Sequence, residues 1–380
     1  MDTHESTASG ELELFRDAVR RFVETELTPN EPRWREQKHV DREAWRKAGE
    51  LGLLLCAVPA ERGGVGADVR YDAVVYEELA RGGAMGFGKH VHEIVAHYVA
   101  AYGTPAQQQR WLPRMASGKA IAAIAMSEPG AGSDLQGVRT RAVRDGDAYV
   151  VNGSKTFISN GHIADLVLLV CKTDPQAGAR GTSLIMVETP GLAGFRRGRI
   201  LDKIGQKAQD TAELFFDDVR VPAANLLGPE EGRGFAQLMQ QLPFERTIIA
   251  VSAVATIERA VELTTAYAKE RRAFGKALIE MQNTRFKLAE CSTIARVGRV
   301  FVDDCVRRLM DGTMDATTAS MAKWWATEMQ CQVVDECLQL FGGYGYMLEY
   351  PIARMYADSR VQKIYGGTNE IMKELIARSL

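Results

Sequence analysis

Apolar residues recur at helical spacing through the first third of the chain. Leu12, Phe15, Val19 and Phe22 lie three or four positions apart between charged residues, which predicts a helix with one buried stripe. Glycines and prolines separate this segment from further periodic stretches of ordinary helix length. A second helix is predicted to begin near residue 41, and three more are predicted around residues 71–81, 90–102 and 105–116. Residues 1–120 are therefore predicted to form an all-helical domain.

The pattern changes near residue 121. Up to residue 228 the apolar residues come in short runs such as AYVV, DLVLLV and TSLIMVE, and Asp145-Gly146, Asn152-Gly153 and Asn160-Gly161 lie between runs. Asp-Gly and Asn-Gly pairs flanked by short apolar runs are a strong hairpin signal. No segment of crossover length separates the runs, so we expect an antiparallel β-barrel or sandwich here, not a nucleotide-binding βαβ unit.

Helical periodicity returns in residues 229–380. Long alanine-rich segments from residue 244 to about 272, from 282 to about 310 and from 316 to 340 predict a four-helix-bundle domain. A helix of about 25 residues would be roughly 37 Å long, which is more than one small core requires and favours contact with another subunit. The overall prediction is an α+β chain of three domains, ordered helices, strands, helices.

Composition narrows the function classes. The chain has 380 residues, 46% of them hydrophobic, with 47 Lys and Arg against 49 Asp and Glu. A formal net charge of −2 gives no cationic excess for nucleic acid, and no uncharged apolar run is long enough to span a bilayer. The acidic beginning MDTHESTASG does not resemble a signal peptide, and the six cysteines are scattered. We therefore expect a cytoplasmic protein with reduced thiols and no membrane span.

Two weak motifs do not support a phosphate or metal site. Residues 83–90, GAMGFGKH, fit the spacing of a phosphate-binding loop but lack the hydroxyl residue after the lysine. His92 and His97 are five residues apart and would point to different faces of a helix. We expect packed or solvated histidines and no bound metal.

The strongest chemical signal is MSEPGAGSD at residues 126–134. Its glycines and serines would let backbone N–H groups and hydroxyls approach a flat polar ligand. Four more motifs follow in order: FISNG at 157–161, RRAFG at 271–275, QLFGGYG at 339–345 and IYGGTNE at 364–370. In order and spacing this set resembles the acyl-CoA dehydrogenase family, FAD-dependent enzymes that introduce an α,β double bond into acyl-CoA thioesters. The resemblance covers essentially the whole chain.

The resemblance implies a carboxylate that removes the α-proton while the β-hydrogen leaves as hydride to the flavin. Many members carry that glutamate in a Tyr-Glu-Gly-Thr loop, which reads YGGT at residues 365–368 here. Members resembling the long-chain and isovaleryl-CoA dehydrogenases carry it on a helix before an arginine, and LPFER at 242–246 matches that position. We therefore predict Glu245 as the base. The alternative is a solvated helix carboxylate beside Arg246, which the following Ile248, Ile249 and Val251 disfavour.

The resemblance also implies the binding residues. The residues expected at the flavin and its phosphates are Ser127, Gly130, Gly132, Ser133, Phe157, Ser159, Thr368, Asn369 and Glu370. Those expected to reach the adenosine half of FAD on a neighbouring subunit are Arg271, Phe274, Gln282, Gln339, Gly342 and Gly343. Those expected to contact acyl-CoA are Ser133, Pro243, Arg246, Gly366 and Gly367.

The implied assembly is a homotetramer, a dimer of dimers, and the implied electron acceptor is an electron-transferring flavoprotein. Two alternatives remain open at this point. The loss of the loop glutamate at Gly366 is compatible with a catalytically silent acyl-CoA or flavin-binding assembly protein, and an acyl-CoA oxidase would use oxygen instead. The motifs do not specify the length, branching or terpenoid character of the acyl chain.

Overall fold

The structure, a computed structural model, describes the backbone of residues 2–380 and the side chains of residues 10–380. Most of the acidic beginning, on which the absence of a signal peptide was predicted, therefore lies outside the described side chains. The predicted order of helices, strands and helices is confirmed. The N-terminal helices are α1 (Asp2–Phe22), α2 (Glu31–Gln37), α3 (Arg42–Glu50), α4 (Val69–Arg81), α5 (Lys89–Tyr102) and α6 (Pro105–Ala116).

The N-terminal helices bury the stripe that their periodicity predicted. Val19 and Phe22 of α1 are buried, while Leu12 and Phe15 pack against the same core. Helices α4 and α5 are buried over most of their length. They are therefore interior helices, and α5 packs both on the β domain and on the C-terminal helices.

The middle segment forms one seven-stranded sheet. Its strands are β1 (Ala122–Ala125), β2 (Arg141–Asp145), β3 (Ala148–Ser159), β4 (Leu166–Lys172), β5 (Thr182–Glu188), β6 (Phe195–Ile200) and β7 (Thr211–Pro222). The order is β1-β4-β2-β3-β7-β6, with β5 paired to β4. Most neighbours are antiparallel, as predicted. The exceptions are β1 beside β4 and a single residue pair between β2 and β4, which are parallel, because the β2–β3 hairpin intervenes before β4 returns beside β1.

One predicted turn is wrong. Asp145-Gly146 does connect β2 to β3, but Asn152-Gly153 lies inside β3 at a register shift against β7. The Asn152 side chain accepts from the Asp218 backbone N–H at 3.0 Å and donates to the Asp218 carboxylate at 2.8 Å. A residue pair typical of turns here forms a bulge in a long strand, which sequence spacing alone does not distinguish from a hairpin.

The C-terminal segment contains three long helices and two short ones. These are α7 (Gly234–Glu270), α8 (Gln282–Met310), α9 (Ala316–Phe341), α10 (Pro351–Ser359) and α11 (Asn369–Ala377), with a small β8–β9 hairpin at Arg272–Ala273 and Lys276–Ala277. Helix α7 begins at Gly234, earlier than predicted, and continues through Pro243. The last part of the predicted bundle is divided because Pro351 and Gly366-Gly367 prevent one continuous helix.

Contacts between the three segments determine where a site can form. Helix α7 packs against α4, α5, α8 and α9, and α11 packs on α9. Residues 205–206 of the middle segment lie against α10, where the Asp358 carboxylate accepts from the Gln206 backbone N–H. Within residues 2–380 no helix is long and apolar enough to cross a membrane.

Candidate active site

Glu245 lies on the buried face of α7. Only 5% of the residue is exposed, and the Tyr98 hydroxyl of α5 donates to its Oε1 at 2.8 Å. Burial raises the pKa of Glu245 to about 7, while the Tyr98 hydrogen bond and the Arg246 charge oppose that rise. The alternative of a solvated helix carboxylate is therefore wrong. A carboxyl group with this pKa is about half ionised at pH 7, and its ionised form is a stronger base than an ordinary glutamate.

Helix α5 packs against α7 near Glu245. The His97 ring stacks on Phe244 with centroids 3.9 Å apart, and His90 Nε2 lies 2.9 Å from the Ser252 hydroxyl. Burial lowers the pKa of both histidines, to about 4 for His97 and about 3 for His90, so both are neutral at pH 7. These contacts enclose the carboxyl group of Glu245 between two helices.

The YGGT loop reaches the same face of α7. Gly366 and Gly367 both adopt left-handed backbone conformations, with φ of 65° and 92°. A Cβ on Gly366 would lie 2.5 Å from Cδ1 of Ile249, which is one helical turn after Glu245. The Gly366 carbonyl accepts from Arg246 Nε at 3.4 Å. The loop that lacks a glutamate is thus packed beside the helix that carries one.

Sequence reasoning missed the residues that hold this loop and Glu245. Tyr98 gave no signal, because it is one of several aromatic residues in a helical stretch. Lys323 of α9 is fully buried, and its Nζ donates to the Gly367 carbonyl at 2.7 Å and to Asn369 Oδ1 at 3.0 Å. Burial and the nearby Arg246 lower the pKa of Lys323 to about 7.

The 126–134 loop follows β1 and is anchored to β3. The Ser127 carbonyl accepts from the Thr156 N–H at 3.0 Å. The buried Glu128 carboxylate accepts from the backbone N–H groups of Arg139 and Thr140 and from Lys155 Nζ, at 2.7 to 2.9 Å. The exposed Gly130, Gly132 and Ser133 therefore lie on a rigidly supported turn, and a Cβ on either glycine would meet open space.

Phe157 is displayed by a bulge in β3. The strand register shifts between Lys155 and Ile158, Phe157 has a φ of 59°, and the residue is 70% exposed. An exposed phenylalanine in left-handed conformation is unusual for a strand and fits a surface that a flat ring covers. Ser159 is half-buried on the same strand end, and Asn160 Nδ2 bonds the Gly88 carbonyl before α5 at 2.9 Å.

A second group of predicted residues forms a cleft at the end of α9. Arg271, Gln339, Gly342 and Gly343 line a cavity of about 450 Å³, and Phe274 projects from the tip of the β8–β9 hairpin with 95% exposure. A guanidinium, an amide and an exposed aromatic ring are groups that can contact a nucleotide, so the cleft is compatible with the predicted adenosine contacts, which stay a prediction. Gln282, at the exposed start of α8, is not among the residues lining this cleft.

The last predicted cofactor group, residues 368–370, has side chains in three different surroundings. Thr368 caps α11 by accepting from the Ile371 N–H, and Glu370 is exposed. Asn369 is buried, and its side chain bonds Lys323, Thr327 and Glu328 of α9. We find that the Asn369 side chain fixes α11 to α9, a role the motif did not indicate.

A buried charged cluster lies between α4 and α5. Ligand atoms of Asp72, Glu93 and His97 lie within 4.8 Å of one another, an arrangement that resembles a metal site. Lys89 Nζ, however, donates to Asp72 at 2.9 Å and also contacts Glu93. The lysine ammonium already supplies positive charge to these carboxylates.

Three family models match consecutive parts of the chain. The N-terminal domain of acyl-CoA dehydrogenases matches residues 9–119, the middle domain residues 123–219 and the C-terminal domain residues 232–380. The chain belongs to the acyl-CoA dehydrogenase family. The domain limits that we predicted, 1–120, 121–228 and 229–380, stay predictions. This acyl-CoA dehydrogenase is a flavin-dependent oxidoreductase, and its cofactor is FAD.

Three similar proteins illustrate the range of the family. The mitochondrial long-chain specific acyl-CoA dehydrogenase of Mus musculus is 51% identical over 98% of this chain and 87% of its own length. An acyl-CoA dehydrogenase structure from Geobacillus kaustophilus has a TM-score of 0.94 and 50% identity, covering 97% of both chains. A glutaryl-CoA dehydrogenase from Mycobacterium smegmatis in complex with FADH2 has a TM-score of 0.91 and 30% identity, covering 97% and 94%.

Proposed function

We propose that this acyl-CoA dehydrogenase oxidises long-chain acyl-CoA thioesters to trans-2-enoyl-CoA, with Glu245 as the catalytic base. The observation that carries the proposal is the buried Glu245 carboxyl group, bonded to Tyr98 and flanked by the Gly366-Gly367 loop. The 51% identity to the mouse long-chain enzyme supports the substrate class. The carboxylate on α7 beside the altered loop also argues against the alternative of a silent protein.

Glu245 would remove the α-proton of the acyl-CoA, which leaves an enolate-like thioester. The ionised carboxylate accepts the proton, while the Tyr98 hydroxyl holds Oε1 and leaves Oε2 for the substrate. Arg246 is next in sequence, and its charge favours the ionised form of Glu245. Burial among Phe244, His97 and Ile249 excludes water, so the basicity of the carboxylate is not lost to hydration.

The thioester oxygen needs donors because negative charge collects there as the α-proton leaves. The Gly366 N–H is the donor on this chain, and the left-handed conformation of Gly366 turns its peptide without a Cβ in the way. Bound FAD supplies the acceptor for the β-hydrogen as hydride. Ser133, Pro243, Arg246 and Gly367 are proposed to contact the CoA thioester.

FAD binding would use two separate surfaces. The 127–133 turn with Phe157 and Ser159 would hold the flavin ring, and Thr368 with Glu370 the region near the phosphates. The cleft at Arg271, together with the exposed Phe274, would take the adenosine of a neighbouring subunit's FAD. This division supports a homotetramer built as a dimer of dimers, and an electron-transferring flavoprotein is proposed as the acceptor of the electrons.

Anaerobic titration with acyl-CoAs tests the activity and the chain class together. We expect straight-chain substrates of long chain length to bleach the flavin absorbance faster than short, branched or terpenoid ones. When electron-transferring flavoprotein is added as the electron acceptor, the enzyme should turn over repeatedly without releasing peroxide. Absence of bleaching with every acyl-CoA would contradict the dehydrogenase mechanism, and equal rates across the panel would contradict the long-chain assignment.

The pH dependence of the reaction should report Glu245. Because the base acts when ionised and its pKa is about 7, kcat/KM should rise with pH below that value and level off above it. Tyr98→Phe removes a hydrogen bond that lowers this pKa, so the midpoint should move to higher pH. Tyr102→Phe, which removes a hydroxyl bonded to Gln240, is the matched control and should leave the midpoint in place. An unshifted midpoint in Tyr98→Phe would contradict the role of this hydrogen bond.

A further inference from the structure

Lys323 is a buried cation that the proposed mechanism does not use. It lies in the middle of α9 with no exposed surface. Both of its hydrogen-bond acceptors are neutral groups, the Gly367 carbonyl at 2.7 Å and Asn369 Oδ1 at 3.0 Å. An ammonium buried against neutral partners costs stability relative to an apolar side chain of similar length. The groups that the ammonium binds should therefore explain why a lysine is buried at this position.

Lys323 belongs to a buried polar stripe on α9. Ser320, Lys323 and Thr327 are fully buried at successive turns of one helix face. Ser320 accepts from Arg246 Nη1 at 3.2 Å, and the Thr327 hydroxyl donates to Asn369 Oδ1 at 3.2 Å. The stripe thus connects α9 to both sides of the substrate site, namely to Arg246 on α7 and to the segment that begins α11.

The contacts of the stripe fix two successive carbonyls of the YGGT loop. Arg246 Nε donates to the Gly366 carbonyl and Lys323 Nζ to the Gly367 carbonyl. Two adjacent left-handed glycines are otherwise free to adopt many backbone conformations. Both carbonyls belong to the peptides that follow Gly366. Holding them restricts the dihedral angles of the two glycines and so leaves fewer directions open to the Gly366 N–H, which lies in the preceding peptide.

We propose that Lys323 is a positioning residue for the thioester-binding loop, which orients the Gly366 N–H and adds positive charge beside the developing enolate. This inference rests on the proposed function of Gly366. Burial and then the charge of Arg246 lower the pKa of Lys323 to about 7, and negative charge that develops on a bound thioester would favour the protonated form. Lys323 acts on the loop and not on the base, since Glu245 has its own contact with Tyr98 and only Arg246, of these two cations, lowers the pKa of Glu245.

The test uses Lys323→Met in the FAD-loaded enzyme. A bound 3-oxoacyl-CoA ionises at its α-carbon to an enolate, whose absorbance reports how well the thioester oxygen is stabilised without any turnover. We expect its ionisation constant to fall at least about tenfold in Lys323→Met, and kcat/KM to fall about 10- to 100-fold, less than on removing an oxyanion donor itself. Lys287→Met, which removes a lysine paired with Glu336 between α8 and α9, is the matched control.

If Lys323 has only a structural role, the test gives a different result. In that case Lys323→Met lowers the thermal midpoint of unfolding but binds 3-oxoacyl-CoA with an unchanged ionisation constant, and the proposal is overturned. If the methionine variant does not retain FAD, Lys323→Gln, which keeps a donor and loses the charge, is measured against the same criterion. Failure of the wild-type enzyme to stabilise the enolate would instead count against the proposed function.

Discussion

Glu245→Gln is expected to slow flavin reduction by an acyl-CoA by at least about 10³-fold, the scale of a lost general base. Glutamine preserves the size of the side chain and can still accept the Tyr98 hydrogen bond, but it cannot take up the α-proton. Because Glu245 is buried between α5 and α7, no bulk base can replace it. Rapid mixing with a long-chain acyl-CoA under anaerobic conditions measures the rate directly.

Binding should survive this substitution. FAD content and the dissociation constant for an enoyl-CoA product are expected to stay near those of the wild type, since Gln adds no charge and little volume. Glu290→Gln, on the exposed face of α8 with 66% of its side chain accessible, is the control and should reduce flavin at the normal rate. Near-normal flavin reduction in Glu245→Gln would show that the base lies elsewhere.

Local pattern predicted the parts of this site that lie within single segments. The helix that carries Glu245 and the glycine-rich turn at residues 130–132 follow from short stretches whose chemistry is visible in the sequence. The resemblance to members with a helix-borne base also implied that the loop glycines and the helix with Glu245 belong to one site. The structure confirms that these two segments pack together, with Gly366 against Ile249.

Long-range partners could not be predicted in this way. Tyr98 and Glu245 are 147 residues apart, and Lys323 and Gly367 are 44 apart. Their contacts depend on how α5, α7 and α9 pack, which hydrophobic periodicity leaves undetermined. Asn369 shows a further limit, although its contact with the cofactor stays a prediction. Its motif suggested a cofactor contact, but its side chain is occupied by α9, because a buried amide must satisfy its hydrogen bonds within the core.

Arg246→Met is expected to lower kcat/KM by about 100-fold, near the loss of one oxyanion donor. Arg246 is 3% exposed, and its guanidinium donates to Ser320 and to the Gly366 carbonyl. Its charge also lowers the pKa of Glu245. Without it, the loop loses one of two clamps and Glu245 becomes harder to ionise. The pH profile of kcat/KM should therefore move to higher pH as its plateau falls.

Two variants separate the charge from the geometry of Arg246. Arg246→Lys keeps a cation beside Glu245 but loses the planar fork, so the pH midpoint should return toward the wild-type value while the plateau stays reduced. Arg307→Met, at an exposed arginine of α8, should change neither. If Arg246→Met lowers the plateau without moving the midpoint, the charge of Arg246 does not act on Glu245, and its contribution is confined to holding the loop and the substrate.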